Sequence, residues 1–302
     1  MTDLKTRLGS LTFKNPITVA SGTFGSKDEF SQLIDYNTLG AVITKSVSLE
    51  LYKGNSMPRT CETPSGMLNA IGLQNAGVDD FIANKIPYFT TIDVVLIVSI
   101  AGRTIDEYVA LTERLSEIER VDAIEVNISC PNVHEGGLSF ALDFRATQAL
   151  VRAVKKVTKK PLIIKLSPEG DIAKSAQTAV DAGADMLSLI NTVRGMMVDI
   201  KTRKPMLANV TGGLSGPAIR PIAIRCLYEV RKCVDVPIIA MGGIASVEDV
   251  IEFLIVGANA VSLGTINFAH PSFAGRVIKE LEQYCVANKI ACIEEIIGTL
   301  EL

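Results

Sequence analysis

The sequence has no paired-cysteine motif, no histidine cluster and no long apolar run. Its cysteines, Cys61, Cys130, Cys226, Cys233, Cys285 and Cys292, never stand as Cys-x-x-Cys. Neither a zinc site nor an iron–sulfur cluster therefore has its usual ligand spacing. The two histidines, His134 and His270, form no Ser-His-Asp or metal-binding pattern, and each reads as a solvated loop residue. No Gly-x-Gly-x-x-Gly follows a candidate strand, so the usual signature of a nicotinamide-binding half is missing. Positive charge is not in surplus: 30 Lys and Arg stand against 33 Asp and Glu, a net charge of -3. Bulk attraction to nucleic acid or anionic lipid is excluded, and any phosphate site must be local. The longest apolar run, near Val94–Val98, falls far short of the roughly 20 residues that span a bilayer. Met1-Thr2-Asp3-Leu4-Lys5 does not read as a signal peptide, and free thiols without an export signal point to the cytoplasm.

What is present is apolar and regularly punctuated. Of 302 residues, 48% are hydrophobic, enough to bury one large core, and residues 1–302 read as a single domain because α/β barrels run long as one unit. Short apolar runs alternate with helical patterns: Ile17–Ala20, Ala41–Thr44, Val94–Val98, Ala123–Asn127, Leu162–Leu166, Met186–Ile190, Ile238–Ala240 and Ala260–Leu263. Their near-continuous apolar character fits parallel strands covered by helices. The repeated strand–helix unit predicts an α/β fold, a (β/α)₈ TIM barrel, with an open doubly wound sheet as the alternative. A polar helix is expected after the first strand, and a helix through Tyr108, Leu111 and Leu115 after the third. The Leu8–Leu11–Phe13 alternation predicts a β-hairpin capping the far end. Two stretches, about 46–77 and 192–217, read as long βα loops on the face where barrel active sites sit.

Polar residues gather where these apolar runs end: Lys45, Ser99, Asn127, Ser129, Cys130, Asn132, Lys165, Ser167, Asn191 and Thr192. A lysine at the end of a buried strand is costly unless it meets an anion or an electron-rich partner. Two of them, Lys45 and Lys165, would look into one mouth. The turns Gly242-Gly243 and Gly264-Thr265, with Gly216-Pro217 opening a helix, allow close backbone approach and suit a phosphate-tailed ligand. Cys130 differs from the other cysteines, which read as small buried hydrophobes, with Cys226 and Cys233 on one helix face. It stands between Asn127 and Asn132 on the functional face, where a thiol of ordinary pKa about 8.5 suits a base or a nucleophile.

These motifs resemble class 1 dihydroorotate dehydrogenases over essentially the whole length. The resemblance is carried by Ala20-Ser21-Gly22-Thr23-Phe24-Gly25, Lys45, residues 65–75, Asn127–Asn132, Lys165-Leu166-Ser167-Pro168, Ile190-Asn191-Thr192, residues 212–218 and the two glycine turns. Asn132–Gly137 and Thr211–Ala218 resemble the type B branch, whose catalytic subunits join an iron–sulfur flavoprotein that passes electrons to NAD⁺. The resemblance implies oxidation of dihydroorotate to orotate in pyrimidine biosynthesis, with FMN as cofactor and Cys130 as catalytic base. It places FMN against Ser21, Lys45, Ser46, Ser99, Asn127, Lys165, Ile190, Gly216, Gly242, Gly243, Gly264 and Thr265. It places substrate against Lys45, Asn69, Ala70, Ile71, Gly72, Leu73, Asn127, Asn132, Asn191 and Thr192. No metal is implied.

An amide ring bearing a carboxylate needs amide side chains and a cation, as this set provides. Lys165 would stabilise the charge of reduced flavin. The implied assembly is a homodimer within a heterotetramer, FAD and the 2Fe-2S cluster lying in the partner. Ser99 departs from the asparagine common in the family and reaches less far. A fumarate-using type A enzyme, a flavin barrel for another dihydropyrimidine, and a silent FMN- or phosphate-binding scaffold are the alternatives.

Overall fold

The computed structural model describes residues 2–25, 27–128, 140 and 142–302. The chain opens with an antiparallel hairpin, β1 (Thr6–Leu8) paired to β2 (Leu11–Phe13). Next come β3 (Ile17–Val19), β4 (Ala41–Ile43), β5 (Thr60–Thr63) and β6 (Gly66–Asn69). Helices α1 (Val78–Asp80) and α2 (Ile86–Phe89), joined by a π-turn, lead to β7 (Val95–Ile100). α3 (Ile105–Ser116), β8 (Ala123–Asn127), α4 (Phe144–Lys156), β9 (Leu162–Lys165), α5 (Ile172–Asp181) and β10 (Met186–Leu189) then alternate. After β10 come β11 (Val193–Met196), β12 (Val198–Asp199), β13 (Lys204–Pro205) and β14 (Thr211–Ser215). α6 (Arg220–Arg231), β15 (Ile238–Ala240), α7 (Val247–Val256), β16 (Ala260–Leu263), α8 (Ile266–Ala269) and α9 (Phe273–Ala287) complete the order.

Eight of these strands close into a parallel barrel in the order β3-β4-β7-β8-β9-β10-β15-β16. They are the runs expected from the sequence, three with the expected ends and the rest shifted by at most two residues. Strands covered on both faces bury nearly every residue, which is why they read as continuous apolar runs. Helices α3, α4, α5 and α7 are amphipathic and capped by side chains. Thr104 accepts from the Glu107 amide to start α3, Asp143 from the Arg145 and Ala146 amides to start α4, and Asp171 from the Lys174 amide to start α5. Each cap satisfies amides that would otherwise be orphaned. Along α3, Tyr108, Leu111, Thr112 and Leu115 face the core.

Successive side chains of a strand alternate between the inside of the barrel and the helix layer. The hairpin end of the interior is apolar: Leu8 and Phe13 pack with Ala41, Ile97, Ala123, Ile163, Met186 and Ala260. Two positions further along the same strands, the inward residues are Ile43, Ser99, Glu125, Lys165, Ser188 and Ser262. Alternate strands contribute to each layer, so Ile43, Glu125, Ser188 and Ser262 form one layer and Lys165 belongs to the next. The same hairpin end is held by hydrogen bonds to strand starts. Arg231 donates to the carbonyls of Gly257, Val234 and Val236 and to Asn259 Oδ1. Asp185 accepts from the Leu162 amide at 2.8 Å and from Lys155 Nζ at 2.6 Å.

Three expectations are corrected. After β3 the described residues form turns and a 3₁₀ turn at Tyr36–Thr38 rather than a polar helix. The Ser31 and Thr38 hydroxyls bond to the carbonyls of Asp28 and Asp35, and Asp35 accepts from the Asn37 amide. Such local bonds compete with a helix, while Phe24 stacks on Phe30 at 4.7 Å between ring centroids and anchors the segment. Second, the two long loops are not loops throughout. They supply an antiparallel sheet in the order β11-β14-β6-β5 and the small pair β12-β13. Third, Cys233 lies beyond the end of α6 and is exposed, and Cys61 and Cys292 are half-buried. Cys226 and Cys285 are buried as expected, and burial pushes both thiols up from their ordinary value.

Arg231→Met should leave several buried carbonyls without a donor and cost about 3 kcal/mol of stability, the scale of lost hydrogen bonds to a charged group. Urea denaturation should show a lower midpoint with an unchanged slope, since the opposite end of the barrel is untouched.

Candidate active site

A cavity of about 1040 Å³ opens at the C-terminal ends of the barrel strands. From β3 and β4 it receives Ser21, Lys45 and Ser46. Ser46 Oγ lies 3.3 Å from Ser21 Oγ and 3.0 Å from Ser99 Oγ, so three hydroxyls form a chain across three neighbouring strands. Ser99 is fully buried behind Ser46 and does not reach the cavity wall. Lys45 extends past Gly22, where an added Cβ would stand 3.2 Å from Lys45 Cδ and Nζ. A side chain there would push the ammonium from its path.

β8 and β9 deliver Asn127 and Lys165, cross-strand partners in the ladder and 7% and 6% exposed. The end of β8 is fixed from outside the barrel by Tyr108, whose hydroxyl donates to the Asn127 carbonyl at 2.7 Å. From β10 come Ile190, Asn191 and Thr192. The Ile190 amide donates to the Met241 carbonyl and the Asn191 amide to the Leu166 carbonyl, both at 3.0 Å, so the chain stays anchored to its neighbours as it leaves the barrel.

The antiparallel sheet stands over this mouth. β6 ends at Asn69, whose Nδ2 donates to the Gly213 carbonyl of β14 at 3.4 Å. Residues 69–73 then run along the cavity. Leu73 adopts a left-handed φ of 56°, and Asn75 holds it by donating from Nδ2 to its carbonyl at 2.8 Å. A non-glycine residue in that region is disfavoured unless its surroundings enforce it. Gly213 has no room for a side chain, because a Cβ would collide with Thr192 Oγ1.

Opposite the lysines the wall is backbone. Gly216, Gly242 and Gly243 have φ of 97°, 135° and 79°. A Cβ on Gly243 would stand 2.8 Å from both the Gly216 carbonyl oxygen and the Arg220 amide nitrogen. Gly264 and Thr265 continue the wall, with Thr265 Oγ1 2.6 Å from Ser215 Oγ. Arg220 at the start of α6 pairs with Asp249, which also accepts from the Ala245 and Ser246 amides at the start of α7. Two helix starts are thereby tied together beside the glycine turns.

Of the residues singled out in the sequence, the cavity brings together Ser21, Lys45, Ser46, Asn69 through Leu73, Asn127, Lys165, Ile190, Asn191, Thr192, Gly216, Gly242, Gly243, Gly264 and Thr265. Cys130 and Asn132 lie outside the described residues. His270 is exposed on the cavity rim. Not foreseen as wall residues were Gly66, Arg194 and Ser215. They belong to the antiparallel sheet, in segments that the sequence predicts as loops. A run such as Thr211–Ser215, with two glycines and no alternation, carries no strand signal.

Fold and site thus define a (β/α)₈ barrel with a polar cavity at the strands' C-terminal ends and a glycine-rich wall at its last two βα turns. The family model for dihydroorotate dehydrogenase matches residues 3–285. Proteins from Geobacter sulfurreducens and Citrifermentans bemidjiense, each named dihydroorotate dehydrogenase B (NAD(+)), catalytic subunit, are 49% identical over 301 residues, covering 99% of both chains. A Thermoanaerobacter protein of the same name is 48% identical over the same length. Among solved structures, the dihydroorotate dehydrogenase of Eimeria tenella in complex with ferulenol superimposes with a TM-score of 0.81 at 22% identity, covering 98% of this chain and 88% of that one. The chain belongs to the dihydroorotate dehydrogenase family.

Gly243→Ala should force the seventh βα turn away from Gly216 and Arg220. Titration of apoprotein with FMN, the cofactor implied by the resemblance, should show at least about tenfold weaker binding, the equivalent of roughly 1.4 kcal/mol of strain. Unchanged affinity would remove Gly243 from the binding wall.

Proposed function

We propose that this chain is the FMN-bearing catalytic subunit of a type B dihydroorotate dehydrogenase, oxidising dihydroorotate to orotate in pyrimidine biosynthesis. The observation that carries the reading is the meeting of Lys45, Asn69, Asn127, Lys165 and Asn191 with the glycine wall in one cavity, in a chain that matches its relatives end to end. The whole chain acts as one FMN-binding barrel domain. No helix among the described residues is long and apolar enough to cross a membrane, and we assign the protein to the cytoplasm.

The walls fit FMN. Gly216 and Gly243, whose Cβ positions are blocked by backbone, admit a phosphate closely, and two lysines offer charge at the other side. Gly216, Gly242, Gly243, Gly264 and Thr265 would hold the phosphate end. Ser21, Lys45, Ser46, Asn127, Lys165 and Ile190 would hold the ring system, with Ser99 acting through Ser46. FMN, when bound, supplies the hydride acceptor.

The remaining work falls to the chain's own residues. Asn69, Asn127, Asn132 and Asn191 present amides that both donate and accept, matching a cyclic imide edge, while Lys45 balances the substrate carboxylate. Ala70, Ile71, Gly72, Leu73 and Thr192 shape the pocket and exclude water. Cys130 takes the proton from the ring carbon next to the one that loses hydride. Lys165 stabilises negative charge left by reduction. Electrons leave through an iron–sulfur flavoprotein partner carrying FAD and a 2Fe-2S cluster, two such partners flanking a homodimer of this chain. The relatives' shared designation as NAD(+)-linked catalytic subunits supports that arrangement.

Anaerobic mixing with dihydroorotate should bleach the visible flavin absorbance, and a flavoprotein that stays yellow would sink the substrate assignment. Efficient turnover with fumarate by the isolated chain would refute the type B assignment. Single-turnover reduction should accelerate as pH rises toward the ordinary thiol range. Cys130→Ala should slow it roughly 10²–10⁴-fold, the scale of a positioned base; a flat pH profile with an unaffected variant would exclude Cys130.

A further inference from the structure

Among the described residues, only three charged side chains are buried: Glu125, Lys165 and Asp249. Asp249 is accounted for by Arg220 and the start of α7. The other two both lie inside the barrel. Glu125 is 0% exposed on β8, one inward position below Asn127. Its Oε2 accepts from Ser188 Oγ at 2.8 Å, while Oε1 is buried without a hydrogen-bond partner.

The register places this carboxylate under the cavity floor. Ser188 on β10 is the cross-strand partner of Lys165 on β9, and Lys165 is in turn the partner of Asn127 on β8. The Glu125 side chain reaches Ser188 by crossing β9 between inward Ile163 and inward Lys165, so its charge lies one layer beneath the Lys165 stem. Ser262, in the same layer, has a buried Oγ that also lacks a partner. A buried carboxylate with a single donor is expensive unless a cation stands nearby. Among the described residues, Lys165 is the buried cation of the interior.

We propose that Glu125, held by Ser188, is a positioning residue that sets the positive field Lys165 presents to the cofactor. The carboxylate offsets part of the ammonium charge, keeps the lysine stem in the barrel axis and makes the cofactor harder to reduce than Lys165 alone would. The inference rests on the proposed FMN function, and its test separates the two. Neither Glu125 nor Ser188 lines the cavity, so neither contacts a ligand there directly.

The experiment is a spectroelectrochemical measurement of the flavin midpoint potential in the holoprotein, with wild type checked first for bleaching by dihydroorotate. A wild type without flavin, or one not bleached, refutes the functional reading itself. Given a functional wild type, Glu125→Gln keeps shape and removes charge. It should favour reduction about tenfold, a two-electron shift of about +30 mV. Ser188→Ala, a milder change that releases the carboxylate from its place beside the Lys165 layer, should favour reduction about threefold, by the same Coulombic reasoning at a longer separation. A merely structural role would lower thermal stability without moving the potential. Potentials within about 1.5-fold of wild type in equilibrium terms, for whichever variants fold and hold flavin, overturn the proposal.

Discussion

A closed barrel of eight parallel strands turns every second side chain into a space that side chains alone can fill. Polar groups admitted there must answer to one another, because water does not. The hairpin end avoids the problem with Leu8, Phe13 and the small inward residues Ala41, Ala123 and Ala260. The other end accepts it: Glu125 and Ser188 share one layer, Lys165 stands in the next and Asn127 above it, toward the cavity. Lys165 therefore stands inside a buried polar column, between the Glu125–Ser188 layer and Asn127. That geometry explains why an interior serine and glutamate occur on strands otherwise built from Ile, Val and Leu.

The second constraint is steric. At the cavity's glycine wall and in its overlying sheet, backbone meets backbone at several points, as at Gly66 against the Ser215 carbonyl and Gly243 against Gly216. Side-chain packing can adjust to substitution by changing rotamers, but backbone contacts cannot. The wall is consequently rigid where a phosphate would sit, while the opposite side, with Lys45 and Lys165, is made of long side chains. In the proposed function, rigid amides on one side and cations on the other would divide the work of holding a dianionic tail and a redox-active ring.

Much of this was legible in the sequence. The barrel strands are nearly uniform apolar runs because both faces are buried, and the residues that terminate them, such as Lys45, Asn127 and Lys165, mark the functional face. Motif resemblance then attached roles to positions such as Asn69 and Gly216. The overlying sheet was not legible. β11 and β14 pair Gly195 with Gly212 and Arg194 with Gly213, and glycine carries neither alternation nor strand propensity. The segment after β3 misled for a related reason: its Asp, Ser and Thr side chains are spent on local turns. Ser99 reads as a site residue from its place at the end of β7, yet its hydroxyl bonds to Ser46, a partner that strand position alone does not identify.

The sheet over the mouth has a further meaning for how the molecule is assembled. Its central pairing joins β6, inserted after the second barrel strand, to β14, inserted after the sixth, so the Asn69–Gly213 hydrogen bond spans 144 residues of chain. The entropy of closing so long a loop must be met before the pairing returns anything. The barrel strands that carry the two insertions bring them together and so lower the cost of this pairing. A nascent or half-built barrel can bury its strands and still lack the roof of its own binding site, so ligand competence is coupled to completion of the fold.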